Sequence, residues 1–444
     1  MIGMIIGDLT YRILPGTAMV VIAVFTLCYF SSCDTEKSIY PEGRNTFIKI
    51  YGFGRLDVAT DMIRDQVTGG FVIAGTTSTS SLDEVGEWES APDNDAMVIF
   101  VDENGNDARY ATRFNEGNDL VWQIIQLEDD NFLVVGETDR QTVFLWKMDN
   151  QGNNIDLARD TFSIGRGLGV MEYVDFAGIS GNRILITGEN TTSTDSTEQL
   201  LLLLDNQGNL LDEFNIGQNS ENFGYRINQG SYGSLTGFYN LRNEKNKSTG
   251  ETKYLIEFRA LGQSGSGEDN ASIDTSPRGT SATPLSGEYV DFLFGSDDLN
   301  PVDPDIFVLS NNKDFEVEFT WWQHVAGKYI KKSGASKLDF NVTENNNERH
   351  IDETEGRSII RSKSNKYLLN ATDLDKNRIL IANFETDGVV NWAKTYGSEV
   401  GYGLGGDIIE LEDGSLVFCG TVNFENNNLK IALYKTDSEG NLDM

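Results

Sequence analysis

The feature that most constrains this chain is a repeat, seen most clearly in its last unit, Asn391 to Asn441. That unit reads NWAKTYG, then GYGLGGDIIELEDGSLVFCGT, then LKIALYKTDSEGN. Short apolar runs alternate with Gly, Asp and Asn clusters, a pattern of four β-strands joined by tight turns. Its glycine-punctuated strand recurs as GGFVIAGT (Gly69 to Thr76), DNFLVVGET (Asp130 to Thr138), NRILITGEN (Asn182 to Asn190) and, in weaker form, SYGSLTGFY (Ser231 to Tyr239). Its closing turn recurs as VDENGN, MDNQGN, LDNQGN and FETDGV, with anchors at Asp102, Asp149, Asp205, Asp387 and Asp437. Between Asp205 and Asp387 the echo is worn. There KYLIEFRALG and DIFVLSNNKDF stand in place of closing strands.

Four strands per unit at a period of roughly 50 residues mark an all-β β-propeller of four-stranded antiparallel blades, not a helical solenoid. Counting units gives seven blades, with six and eight left open by the worn middle. The Asn-Gly and Asp-Gly pairs are read as two-residue hairpin turns, whose positive φ suits Gly and Asn. TFIKIYG at Thr46 to Gly52 matches the WAKTYG strand that leaves a blade, yet it precedes the first full unit. The last unit lacks such a strand. The sequence therefore predicts that Phe47 to Tyr51 becomes the outermost strand of the final blade and removes an open edge. The propeller is assigned to residues 46–444.

Residues 1–32 differ from the rest. Arg12 is the only basic residue there, and an apolar run from Ala18 to Phe30 precedes Ser31, Ser32 and Cys33. The run is short of the ~20 residues a membrane span needs and has the length of a signal-peptide core. The expectation is a signal peptide over 1–32, a lipidated Cys33, and a polar tether over 33–45. Besides Cys28 and Cys33 only Cys419 is present, so the mature chain has no intramolecular disulfide to draw on, and Cys419 is expected in the core. With 69 acidic against 35 basic residues the net charge is -34. Such a surface repels nucleic acid and anionic lipid, and favours solubility, cations or basic partners.

Three insertions interrupt the repeat, and function on a rigid scaffold tends to reside in such loops. Ser78 to Asp95 is acidic and is expected to expose Trp88. Ser264 to Glu288 is rich in Gly, Ser, Thr and Pro and is expected to be a long mobile loop. Lys328 to Gly356 carries the basic cluster Lys328, Lys331, Lys332 and Lys337. Trp321 and Trp322 are adjacent, and neighbours on a strand point to opposite faces, so one of them is a candidate for exposure. An exposed aromatic can stack a sugar or anchor a protein. Trp88, Trp321, Trp322, Lys328, Lys331 and Lys332 are thus the candidate partner-binding residues. Trp122, Trp146 and Trp392 sit at repeat positions and are assigned to blade core.

Catalytic machinery is not evident. The two histidines, His324 and His350, accompany no Gly-x-Ser-x-Gly elbow or repeated metal-ligand spacing, and no triad can be drawn. Glycoside hydrolysis would need one carboxylate pair at a set separation, and 69 acidic residues offer too many pairs to select one. The Gly-rich runs lack the Gly-Lys-Ser/Thr of a phosphate loop. Calcium is the one cofactor with candidates: Asp102, Asn104 and Asp107 in DENGND, and Asp149 and Asn153 in DNQGN, place oxygens around a Gly turn. A full calcium loop is missing, and hairpin turns account for the same residues. No other cofactor is indicated.

WAKTYG, GGFVIAGT, LEDGSLVFCGT and the LDNQGN turns resemble the repeats of β-propeller lipoproteins of Bacteroidetes type, over roughly Thr46 to Met444. The acidic stretch behind Cys33 resembles the surface-export signal of such lipoproteins. The resemblance implies a propeller attached at the outer membrane or cell surface, and no set of catalytic residues. The expected function is a lipid-anchored extracytoplasmic module that binds a protein or glycan partner, without nucleic acid. The alternatives are a secreted carbohydrate-active enzyme with an acidic pair near the channel, and a purely structural surface lipoprotein.

Overall fold

The computed structural model describes residues 46–442 apart from short internal stretches, the longest being 174–181, 264–270 and 295–305. Cys33 and its flanks lie outside the described residues. The chain is nearly all β, and it meanders through successive antiparallel sheets. The first holds Leu56–Arg64, Phe71–Ser78, Asp95–Val101 and Arg109–Arg113. The second holds Asp119–Gln126, Phe132–Thr138 and Thr142–Met148, edged by Asn154–Ile155 and Thr161–Phe162. The third runs from Arg166–Tyr173 to Leu210–Ile216, the fourth opens on Ser220–Tyr232, and the fifth opens on Glu288–Phe294. A hairpin, Phe340–Glu344 with Asn347–Ile351, precedes the sixth sheet, Thr354–Arg361 to Val390–Tyr396. The last sheet holds Gly403–Glu410, Leu416–Asn423 and Leu429–Thr436, and one parallel pairing, Leu56 opposite Leu429, makes it continuous with the first.

Phe47–Tyr51 pairs antiparallel with Leu429–Thr436, from Phe47 opposite Lys435 to Tyr51 opposite Ile431. The N-terminal strand is thus the outer strand of the last sheet. Sheets adjacent in the chain pack face to face, the architecture of a β-propeller. One core joins Val72, Ala74 and Val98 to Phe132, Val134 and Phe144. Another joins Leu380, Ala382 and Phe384 to Phe307, Leu309 and Phe319. A third joins Ile73, Met97 and Ile99 of the first sheet to Val417, Cys419, Ile431 and Leu433 of the last. Cys419 is fully buried there.

The recurrent glycine has a steric cause. The inner strand of each sheet steps out of register once, between Ala59 and Asp61, Val121 and Gln123, Gly167 and Gly169, and at matching places in the others, the last being Gly405 to Ile408. Such a bulge bends the strand and presses its backbone toward its neighbour. A Cβ on Gly75 would strike the Val58 carbonyl oxygen, and one on Gly136 that of Leu120. The residue after the bulge is re-aimed at the next sheet. Asp61 Oδ2 accepts from Ile124 N (2.8 Å), and Gln123 Oε1 accepts from Val170 N (2.9 Å).

The closing turns differ from the expected two-residue form. Asp102 N donates to Asn106 O and Gly105 N to Asp102 O, both at 3.0 Å, and Gly105 alone is left-handed at φ 71°. This is the longer hairpin loop, a type I turn followed by a glycine in the αL region. Asp149, Asp205 and Asp437 build the same loop with Gly152, Gly208 and Gly440.

Each insertion contains regular structure among its described residues. Ser78 to Asp95 forms a short helix, Leu82–Val85, and a 3-10 turn, Trp88–Ser90. Ser264 to Glu288 contributes strands Ala271–Ile273 and Arg278–Pro284, which pair with Thr252–Gln263. Lys328 to Gly356 includes the Phe340–Ile351 hairpin, whose Phe340, Val342 and Ile351 enter the core between the fifth and sixth sheets. Among the described residues no helix is long and apolar enough to cross a membrane.

Candidate functional site

The inner strands line an axial cavity at their C-terminal ends. One lobe, about 640 Å³, lies among Ile63 and Arg64 of the first sheet, Ile125 of the second, Ile360 and Arg361 of the sixth, and Ile409 and Glu410 of the last. A second, about 550 Å³, shares Gln66, Ile125 and Gln126 and extends along Glu128, Glu172, Ile227 and Asn228. Both open to solvent. Strand alternation sends Met62, Ile124, Ile359 and Ile408 into the core with the preceding sheet, and turns isoleucines 63, 125, 360 and 409 toward the following sheet, where they stay half-buried and border the cavity.

Polar groups at the mouth are held by the loops that follow the strands. Gln126 accepts from Gln66 N (2.8 Å) and donates to Asp65 Oδ1 (3.0 Å). Lys363 N donates to Glu410 Oε2 (2.6 Å). Across the cavity Asn182 Nδ2 lies 2.9 Å from both Glu128 Oε2 and Glu172 Oε1, and Glu128 N donates to Glu172 Oε2 (2.7 Å). Burial raises the Glu172 pKa, and the charges of Glu128 and Asp129 push the same way against the hydrogen bonds it accepts. The lining therefore alternates apolar surface with fixed amide, guanidinium and carboxylate groups. No aromatic ring lines either lobe among the described residues.

The opposite end of the inner strands is covered in the first, second and last sheets. Trp88, expected to be exposed, is only 7% exposed. It packs with Leu82, Val85 and Ala91 of its own loop onto Leu56, Val58, Leu120, Trp122 and Leu404. The loop is pinned at its base by Asp93, which accepts from Ser78 Oγ, Thr79 N, Thr79 Oγ1 and Ser80 Oγ. Burial raises the pKa of Asp93, but these hydrogen bonds outweigh it and hold the carboxyl well below its ordinary range. Asn94 and Asn118 donate to the carbonyls of Trp88 (2.9 Å) and Glu89 (2.7 Å). Beneath the loop, buried Glu137 accepts from Arg166, which also pairs with Glu189 (3.3 Å) and lies over the Trp122 ring (5.8 Å). Burial raises the Glu137 pKa despite this partner.

The other sequence candidates do not gather at the cavity. Trp321 is half-buried and stacks on Phe307, centroids 5.9 Å apart, in the core between the fifth and sixth sheets. The Trp322 side chain lies outside the described residues. Lys328 and Lys331 belong to a short strand paired with Trp322 to Val325. Their side chains, and Lys332 altogether, also lie outside the described residues. In the calcium candidates, Asp102 Oδ1 accepts from Asn104 N and Asn106 N, and Asp149 from Gln151 N, Asn153 N and Asn153 Nδ2. Asp107 takes a left-handed φ of 53° just after its turn. These carboxylates are used by the turn itself, and no three His, Cys, Asp or Glu side chains converge as a metal site among the described residues. Sequence reasoning missed the cavity residues because they come from several strands far apart in the chain.

No protein-family model matches the sequence, and no curated protein matches it. Among solved structures the chain is similar to the Dos1 propeller (TM-score 0.46, 9% identity, 86% of this chain and 94% of that one). It is also similar to Drosophila Semaphorin 2a (0.48, 8%, 88% and 75%). A third is a putative 6-phosphogluconolactonase from Bacteroides uniformis (0.43, 8%, 82% and 94%). At such identities and TM-scores these likenesses carry nothing about activity or ligand.

Proposed function

We propose that this chain is a seven-bladed propeller, closed by Phe47–Tyr51, that is anchored outside the cytoplasm through a lipid on Cys33 and binds a partner protein at its axial cavity. The observation that carries the reading is the asymmetry of the inner strands: the Trp88 loop packs over one end of those in the first, second and last sheets, and the other end presents an open, two-lobed cavity. The lining supports a protein partner over a glycan. A peptide matches isoleucines interleaved with amides, arginines and carboxylates, whereas sugar rings are favoured by aromatic faces. Closure is supported by the pairing of Phe47–Tyr51 in the last sheet and by the core shared between the first and last sheets. The lipid anchor rests on the Ser-Ser-Cys sequence behind the apolar run.

Two substitutions test the parts separately. Ile125→Arg places charge where the lobes meet and should abolish partner capture while the fold persists; undiminished capture would remove the cavity from the account. Cys33→Ser should move the protein from membranes to the soluble fraction, and retention in the membrane pellet would end the lipid-anchor proposal.

One observation favours the enzyme reading enough to state its test. A carboxyl with a raised pKa beside a second carboxylate, as in Glu172 and Glu128, is the arrangement a glycosidase needs for its acid and its partner. Hydrolysis of any aryl glycoside that is lost in Glu172→Gln would support it. Equal rates in the two proteins would dismiss it.

A further inference from the structure

At two seams, neighbouring sheets are latched at their outer edges by a lysine and a tyrosine. From the last sheet, Lys49 Nζ donates to Asn106 Oδ1 (2.6 Å) and the Tyr51 hydroxyl to the Gly105 carbonyl (2.7 Å), both in the first sheet's closing turn. From the sixth sheet, Lys394 Nζ donates to Asn441 Oδ1 and the Tyr396 hydroxyl to the Gly440 carbonyl (2.6 Å), in the last sheet's closing turn. The strand registers place the two latches identically. Lys49 lies opposite Leu433 and Lys394 opposite Ile381; Tyr51 lies opposite Ile431 and Tyr396 opposite Ile379.

The same positions in the first sheet are Ala111, opposite Val98, and Arg113, opposite Ala96. Neither makes the latch. Alanine is too short, and the Arg113 guanidinium is committed to buried Asp119 and lies over the Phe144 ring (4.5 Å). The second sheet's turn nevertheless keeps both acceptors, the Gly152 carbonyl and Asn153 Oδ1, and no donor among the described residues reaches either. What remains is a groove of about 610 Å³ between the first and second sheets, lined by Ala111, Arg113, Lys147, Gly152, Asp156 and Asp160; its two cations are already paired, Arg113 with Asp119 and Lys147 with Asp129 (2.7 Å). Asp156 and Asp160 are exposed at its rim.

We infer that this groove is a docking site for a lysine side chain from a basic segment of a partner protein. The ammonium donates to Asn153 Oδ1 and the alkyl stem fills the space over Ala111, as Lys49 and Lys394 do at their own seams. Three features select that chemistry. Asn153 Oδ1 is the counterpart of the acceptors the chain satisfies with Lys49 and Lys394, the rim carboxylates add attraction, and a net charge of -34 draws basic partners to the surface. The site is separate from the axial cavity and does not rest on it.

The test uses the full chain and the chain's own latch sequence as probe. Fluorescently labelled NWAKTYG is titrated by anisotropy, beside a version with norleucine in place of lysine. Loss of a charge-assisted hydrogen bond should weaken binding on the order of tenfold. Ala111→Lys installs the missing latch and should abolish binding with an unchanged or higher unfolding temperature. If that variant does not fold, Ala111→Met fills the stem's space without a charge and should also block the probe. Equal affinity for the norleucine peptide, or persistent binding to a folded groove-filled variant, would overturn the inference. Self-association abolished by Ala111→Met would overturn the partner assignment in favour of a second copy of this chain.

Discussion

Tyr51→Ala strikes the seam where the N-terminal strand meets both ends of the repeat. The side chain is 1% exposed, packs in the core shared by the first and last sheets, and donates its hydroxyl to the Gly105 carbonyl. Removing an aromatic ring from such a site costs about 3–5 kcal/mol, because the lost contacts leave a cavity. Leaving a buried carbonyl without its donor adds about 1 kcal/mol. Tyr51→Phe isolates that second quantity, and Tyr396→Phe, which removes the equivalent bond to Gly440, should match it. The assay is urea unfolding followed by tryptophan fluorescence, with native-state hydrogen exchange on the same proteins. Tyr51→Ala should lower the midpoint and reduce protection across Leu429–Thr436, the strand that Phe47–Tyr51 covers, while Phe132–Thr138 keeps its protection. Unchanged protection of Leu429–Thr436 with an unchanged midpoint would refute the claim that the N-terminal strand seals this edge.

Three further outcomes follow from the side chains described. Asp93→Ala removes the carboxylate that ties Ser78, Thr79 and Ser80, so the Trp88 loop should lift; a red-shifted tryptophan emission without global unfolding checks this. Glu344 joins the Phe340–Ile351 hairpin to the sixth sheet through Lys376, Arg378 and Thr395, and also accepts from Arg349 of the hairpin itself. Burial raises its pKa, but those donors outweigh it and hold the carboxyl at about 2. A depressed carboxyl stabilises the fold above its unfolded value and loses that contribution as pH falls toward 2. The protection factors of Phe340–Glu344, taken against the intrinsic exchange rate at each pH, should therefore fall between about pH 4.5 and pH 2, and Glu344→Gln should flatten the dependence. Arg166→Met strands the buried Glu137 carboxylate and should destabilise by about 3–5 kcal/mol in urea, whereas Arg166→Met with Glu137→Met should recover most of the loss.

Much of the scaffold was legible because its signals are local. The closing turns announce themselves through Asp, Gly and Asn at fixed spacing, and the pairing of Phe47–Tyr51 with Leu429–Thr436 follows from the likeness of TFIKIYG to WAKTYG. The bulges were not legible. Their extra residues include Thr60, Trp122, Leu168 and Arg357, which share no chemistry; their only trace is the glycine on the neighbouring strand. The burial of Trp88 was obscured by acidic composition. Yet Leu82, Val85, Trp88 and Ala91 recur every third residue, the spacing of one apolar helical face, and that signal would have found the cap. The axial lining had no local signature, since Ile63, Ile125, Ile360 and Ile409 meet only after long-range strand packing. The vacant latch is likewise visible only once strand register sets Ala111 against Lys49 and Lys394.

The central claim is that the partner enters the axial cavity. A photoreactive amino acid placed at Ile125, where the two lobes join, is compared in the native membrane with the same residue at Val389, which is 57% exposed on a closing turn of the sixth sheet. The account predicts one discrete crosslinked protein from position 125, absent from position 389 and competed by unlabelled protein but not by its Ile125→Arg variant. Crosslinking from position 389 alone, or the same products from both positions, would contradict it.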